Sequence, residues 1–302
     1  VTPLALPLRR AALGALLLTT TAASPAPPSP AAPLRWTDET PDAMIDDAKA
    51  RAVAPGAPEA DVLAAAFVIR ALESRGENGH AEQALRDVAG KVTGEVSGEV
   101  ALLAQALADD EGTDAGVAAD RKLGVIADVS VLGPFRDTGG GLLAHDGPEA
   151  AGAPFADTTR RYSWGTVEVA WRPVPTRYAA AGGVPLDLFV SPRTESCSFI
   201  ATTLTLPAAG EIVIRAAATG SVRLAWDGVL AASSEEVHTS ALADRVAAAV
   251  RAKSGVHLLA AKVCTGALAD DGRVRLRVTD ASGAPLQLAA SADLTRYTPS
   301  GP

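Results

Sequence analysis

The chain has 302 residues, with 27 Lys and Arg against 35 Asp and Glu, a formal net charge of -8. That balance, with no basic stripe along the sequence, excludes a phosphate-backbone footprint and with it a nucleic-acid partner. The length suffices for a sizeable core, and because aromatic residues make up only 4% of the chain, that core must be built from Ala, Val and Leu.

Residues 1–26 read as a secretory signal peptide. Arg9 and Arg10 precede the apolar run AALGALLLTTTAA, and small residues follow near Ala23 and Ala26. The run is too short to span a bilayer. Residues 27–37 continue as a Pro/Ala-rich linker that cannot nucleate a core. The mature chain is therefore expected outside the cytoplasm, secreted or in the periplasm or cell envelope, without a membrane span.

Residues 38–123 carry helical spacing. Pro41 suits a first helical turn, and the helix it opens runs to about Val53. After Pro58, the residues Val62, Leu63, Ala66, Ile69 and Leu72 recur on one face and stop at Gly76. AEQALRDVAGKV and EVSGEVALLAQALADDEG give a third and a fourth helix. Two readings fit these lengths: degenerate tetratricopeptide-like hairpins, or a small bundle packed on the strand-rich remainder of the chain.

Residues 124–297 switch to strand patterns. GVIADVSVLGPF is an apolar strand that ends in a turn at Gly133-Pro134. RDTGGGLLAHDG has three glycines in a row but no following Lys-Ser/Thr, so it is a flexible surface loop and not a phosphate cradle. In RRYSWGTVEVAWRPVP, Trp171 shares parity with Val167 and Val169 and is expected in the core. Trp164, beside Tyr162 and Gly165, is the better candidate of the two for an exposed stacking ring, although a core or edge position is the favoured reading for each tryptophan. Further on, Val222, Leu224 and Trp226 fall on one face, which makes Trp226 a core residue. Asp227-Gly228 tolerates positive φ at both positions and joins VRLAW to VLAAS as a hairpin. Two apolar segments split at Ser254-Gly255, and the alternating run RVRLRVT, complete the pattern of an antiparallel β-sandwich.

The segments VRLAWDG, GVHLLAAKV and LRVTDASGAP, with GPF at 133–135, resemble the galactose-binding-like jelly roll of secreted bacterial proteins. Those proteins also carry tetratricopeptide-like helices and transglutaminase-like domains. The resemblance implies an α+β multidomain chain: a small antiparallel helical, TPR-like domain over 38–123, then a jelly-roll sandwich over 124–297. It also implies an attached recognition module and not a catalyst. Asp227 and His257 stand where the family pattern has Asn.

No catalytic residue is identified. G-x-S-x-G and H-E-x-x-H are missing, and His80, His145, His238 and His257 lack metal-ligand spacing. Cys197 and Cys264 lie in strand segments, away from a helix start that would activate a thiolate. In an oxidising compartment they would form a disulfide; two buried free thiols are the alternative. No cofactor or metal is expected. Asp270, Asp271 and Asp280 flank turns of the kind where jelly rolls hold a structural Ca²⁺, yet no repeated D-x-D spacing supports one. His257 is expected at a strand edge or in solvent.

The chain thus reads as a secreted or periplasmic, non-catalytic binding or scaffold protein for carbohydrate or an envelope protein partner. Tyr162 and Trp164 would stack on a ligand, and Asp227 and His257 would supply polar contacts. The alternatives are an accessory N-terminal region of a larger transglutaminase-like or peptidase-associated protein, and a purely structural envelope protein.

Overall fold

A computed structural model describes residues 40–108, 113–137, 141–150, 155–179, 182–237, 243–265 and 272–299. The expected signal peptide and linker, the acidic end of the fourth helical stretch, Gly139, Gly140, His238, Asp270 and Asp271 lie outside the described residues.

Five α-helices come first among the described residues. Helix α1 (Pro41–Ala52) opens on Thr40, whose hydroxyl accepts from the Ala43 amide at 3.3 Å, with Pro41 in the first turn. Helix α2 (Glu59–Leu72) buries Val62, Ala66, Ile69 and Leu72, the face that the spacing predicts. Helices α3 (His80–Ala89) and α4 (Glu95–Gln105) come next; α1 packs on α2 and α3 on α4. Small residues at Ala48, Ala66 and Ala84 let these backbones approach closely around Ile45, Ile69 and Leu85. Helix α5 (Asp114–Lys122) was not expected. It is only nine residues long and buries a single large apolar side chain, Val117, so it leaves almost no periodic signal. Thr113 caps it, accepting from the Gly116 amide at 3.0 Å.

Thirteen strands come after the helices among the described residues. They are β1 (Ser130–Arg136), β2 (Tyr162–Trp164), β3 (Val167–Val169), β4 (Arg172–Pro173), β5 (Val184–Pro185), β6 (Ser196–Leu206) and β7 (Gly210–Ala218). Then come β8 (Ser221–Trp226), β9 (Val229–Ser234), β10 (Val246–Ala252), β11 (Gly255–Thr265), β12 (Arg273–Thr279) and β13 (Ala289–Ser291). One sheet has the order β4-β1-β6-β11-β8-β9, with β13 added on β6; a second has the order β10-β7-β12-β5; β2 and β3 form a separate ribbon. All pairings are antiparallel. The chain is therefore α+β, with a two-sheet sandwich.

Period-two alternation explains the layering. Ile200, Leu224, Leu259 and Val263 of the larger sheet meet Ile214, Ala216, Leu276 and Val278 of the smaller one, and Trp226 joins that core as its spacing predicts. The opposite face of the larger sheet, through Leu132, Phe199, Leu258 and Ala260, is also covered, by Phe135, Leu142, Tyr162 and Trp171. Strands β6 and β11 are consequently buried on both faces and read as near-continuous apolar runs. The outer face of the smaller sheet carries Arg215, Arg275 and Arg277, and all three are buried. Arg277 pairs with Glu99 of α4 and Arg215 with Glu95, so the helical part lies over that face.

Two expectations need correction. Gly133-Pro134 does not end the first strand: β1 runs on to Arg136 through an irregularity between Leu132 and Phe135. A side chain at Gly133 would put its Cβ 2.6 Å from Ser198 Oγ, so the close strand approach requires glycine there. The glycine-rich stretch, where described, is not a free surface loop. Leu142 is buried, Arg223 donates to its carbonyl at 3.0 Å, and Lys262 donates to Ala144 O at 2.5 Å and Glu149 at 3.0 Å. The buried Lys262 and the half-buried Arg223 clamp residues 141–149 across the sheet.

Candidate functional site

The ribbon β2–β3 turns at Gly165, whose φ of 57° suits glycine in a two-residue connection. Along β2, Tyr162 and Trp164 share parity, and Ser163 points the other way, exposed. Tyr162 packs edge-on against Phe135 at 5.7 Å, and the Arg160 guanidinium lies over its ring at 5.3 Å. Phe135 in turn meets Phe199 edge-on at 5.5 Å, which fixes this wall to the larger sheet. Tyr162 is thus a buried wall residue, and its hydroxyl has no hydrogen-bond partner. Burial pushes its phenol above the usual range, and Asp157 adds to this against the opposing pull of Arg160. Trp164 keeps its ring half-buried, with part of it open to solvent.

Between this ribbon, the end of β1 and the turn after Asp146 lies an open cleft of about 650 Å³. Its chemistry comes from Trp164 and Tyr162, from Arg136, Arg160 and Arg161, and from Asp146. Among the described lining residues three guanidiniums stand against one carboxylate, with Asp157 close to Arg160. Arg136 and Arg161 are exposed, and Arg161 reaches only a weak contact with the Thr159 carbonyl at 3.4 Å. Such a cleft can stack a flat apolar ligand face, donate several hydrogen bonds in planar forks, and accept from hydroxyls at Asp146.

Asp227 and His257 form a different cluster and do not line the cleft. Asp227 at φ 50° and Gly228 at φ 80° make the tight primed turn between β8 and β9. Asp227 accepts from the Leu258 amide at 2.8 Å and sits 2.7 Å from His257 Nδ1. His257 Nε2 faces the Lys253 carbonyl at 2.9 Å, and its ring stacks on Trp226 with centroids 4.9 Å apart. Burial raises the Tyr297 phenol, with the charge and hydrogen bond of Asp227 adding to it. Every polar atom of the His257 ring is therefore engaged. The expected edge or solvated position for His257 is corrected: β11 is an interior strand between β6 and β8, and the His257 side chain is only 12% exposed.

Cys197 and Cys264 face each other across β6 and β11 and are joined by a disulfide. With Asp137 they make a close set of possible metal donors among the described residues, but both sulfurs are spent on each other. Asp280 accepts from the Ser282 hydroxyl above all and from the Ser282 and Ala284 amides, bonds that hold its carboxyl below the usual range as a turn-closing group.

The sequence pointed to Tyr162 and Trp164, and the structure brings both to one cleft. It did not single out the cleft's charged residues. The adjacent pair Arg160-Arg161 just before YSW was the available signal; Arg136 and Asp146 come from distant segments that only the fold brings in.

No protein-family model and no curated protein matches the sequence. Among solved structures, partial likenesses are found. An anti-sigma factor domain-containing protein from Clostridium clariflavum is 16% identical over 32% of this chain and 33% of its own, with a TM-score of 0.25. A PA14 sugar-binding domain from an RTX adhesin is 18% identical over 32% of this chain and 51% of that one, with a TM-score of 0.24. A family 35 carbohydrate binding module from Clostridium thermocellum is 20% identical over 28% of this chain and 72% of its own, with a TM-score of 0.21. The chain thus spans about a third and about half of the first two structures. No helix among the described residues is long and apolar enough to cross a membrane.

Proposed function

We propose that the chain is a secreted or periplasmic, non-catalytic carbohydrate-binding protein. Its sandwich is of the galactose-binding-like jelly-roll type, and its helices are tetratricopeptide-like hairpins that support the smaller sheet. The observation that carries this reading is the half-buried Trp164 ring beside Tyr162 in a cleft edged by planar hydrogen-bonding groups. A sugar ring presents C–H bonds on its faces and hydroxyls around its rim, which fits a tryptophan flanked by guanidiniums and one carboxylate. Two features support a non-catalytic role. Asp146 is the one carboxylate among the cleft's described lining residues, whereas glycoside hydrolysis ordinarily uses two. The cysteines are bonded to each other and His257 is engaged at both nitrogens, so neither is poised as nucleophile or base.

The test is calorimetric titration of the purified chain against a panel of acidic and neutral oligosaccharides, alongside Trp164→Ala. Saccharide affinity should fall about tenfold or more in the variant with its melting temperature unchanged. Binding by no member of the panel, or turnover of a glycoside, would overturn the proposal.

A further inference from the structure

Resting on the saccharide reading of this cleft, we infer that its ligand is an anionic saccharide carrying carboxylates, a uronic-acid oligomer. The chain as a whole is acidic, at a formal -8, yet the cleft's described lining holds Arg136, Arg160 and Arg161 against Asp146, and a further carboxylate beside it, Asp157, acts on Arg160 and leaves Arg136 and Arg161 in excess. The arginines buried under the helices are spent on internal partners: Arg277 on Glu99 and Asp244, Arg275 on Asp244, Arg215 on Glu95. Arg136 and Arg161 make no salt bridge with a described residue and stand exposed at the cleft's edge. Arg160 is held in place over the Tyr162 ring, so one guanidinium of the three is already oriented. They come from separate segments, the end of β1 and the approach to β2, and converge only through the fold. Three like charges at one open site repel one another, and an anion seated between them relieves that repulsion.

The type of anion is set by geometry and company. A guanidinium fork matches the two oxygens of a carboxylate, and the neighbouring Trp164 supplies the apolar face that a sugar ring needs and a bare anion does not. Asp146 would repel a carboxylate placed against it but accepts well from a ring hydroxyl, which sets a direction for the ligand in the cleft. A volume of about 650 Å³ takes a short oligomer.

The experiment compares tetragalacturonate, its methyl ester and the neutral galactose tetramer by calorimetry on the full chain, at low and at high salt. The acid form should bind at least about tenfold more tightly than the other two, and raised salt should shrink that advantage. Arg136→Gln with Arg161→Gln should remove the preference and leave the melting temperature unchanged, since both side chains are exposed. Equal binding of ester and acid would overturn the charge inference while the saccharide reading stands. Failure to bind any of the three, together with failure to bind any neutral oligosaccharide, would overturn both. Polyglutamate binding as tightly as tetragalacturonate, unaffected by Trp164→Ala, would also overturn the inference, leaving an anion site that reads no sugar.

Discussion

Arg277 of β12 donates to Glu99 of α4 at 2.7 Å, and the Arg277 side chain is completely buried. The same guanidinium donates through Nε to Asp244 at 2.8 Å, and Arg275 reaches the other Asp244 oxygen at 3.2 Å. Two cations and two carboxylates thus form a buried cluster in the seam between the helices and the smaller sheet, beside the Arg215–Glu95 pair. Removing one partner from such a cluster leaves an uncompensated buried charge, so the seam is a point where single substitutions act strongly. Burial pushes the Glu99 carboxyl up to about 7, the nearby Asp244 charge adding to the effect and the two arginines opposing it. Burial would raise Asp244 as well, but Arg275 and Arg277 outweigh it and hold that carboxyl at about 2.

These shifts give a pH dependence of definite sign. Native Glu99 keeps a proton that the unfolded chain releases near the ordinary value of 4.5. Its stabilising contribution is fully present below that value and is lost as pH rises through about 7. Asp244 acts oppositely: its contribution is present above 3.8 and is lost as pH falls through about 2. The melting temperature of the wild type should therefore decline between about pH 5 and pH 7.5 more steeply than that of Glu99→Gln. Equal slopes in the two proteins would remove Glu99 from the account.

Asp227 is expected to act on stability and not on binding. Asp227→Ala deprives the Leu258 amide and His257 of their acceptor and places alanine at a positive φ, which should cost about 2 kcal/mol. Asp227→Asn keeps an acceptor and tolerates that backbone, so it should cost clearly less. Denaturant titration measures both. A loss of saccharide affinity in Asp227→Asn with stability intact would move the site to this cluster.

Much of the fold was legible because it rests on periodicity. The faces of α2, β8 and β12, the Asp227-Gly228 turn and the burial of Trp226 all come from spacing of 3.6 or 2 and from turn chemistry. Helix α5 was not legible, since its interior offers one large apolar residue and its signal lies in the Thr113 cap. The alternation of RVRLRVT gave one apolar and one charged face, but not that α4 buries the charged one, because the partners Glu99 and Asp244 are remote in sequence. The cleft divides the same way. Tyr162 and Trp164 stand together in YSW, whereas Phe135, Arg136 and Asp146 reach it only through the fold.

Trp226 tests the core independently of the cleft. It is 8% exposed, packs with Val222 and Leu224, and stacks on His257. Trp226→Ala should destabilise by roughly 3–5 kcal/mol through the cavity it leaves and the lost stack. Saccharide affinity of the folded variant at low temperature should be retained. An unchanged melting temperature would place this ring outside the core.

The most direct test of the carbohydrate reading is residue-resolved mapping of the bound ligand. Isotope-labelled protein is titrated with the tightest oligosaccharide found, and amide and indole resonances are followed by NMR. The largest shifts should fall on Trp164, including its indole N–H, and on Arg136, Ser163 and Gly165 around the cleft. Shifts centred on Asp227 and His257, or saturating binding that leaves Trp164 unmoved, would contradict it.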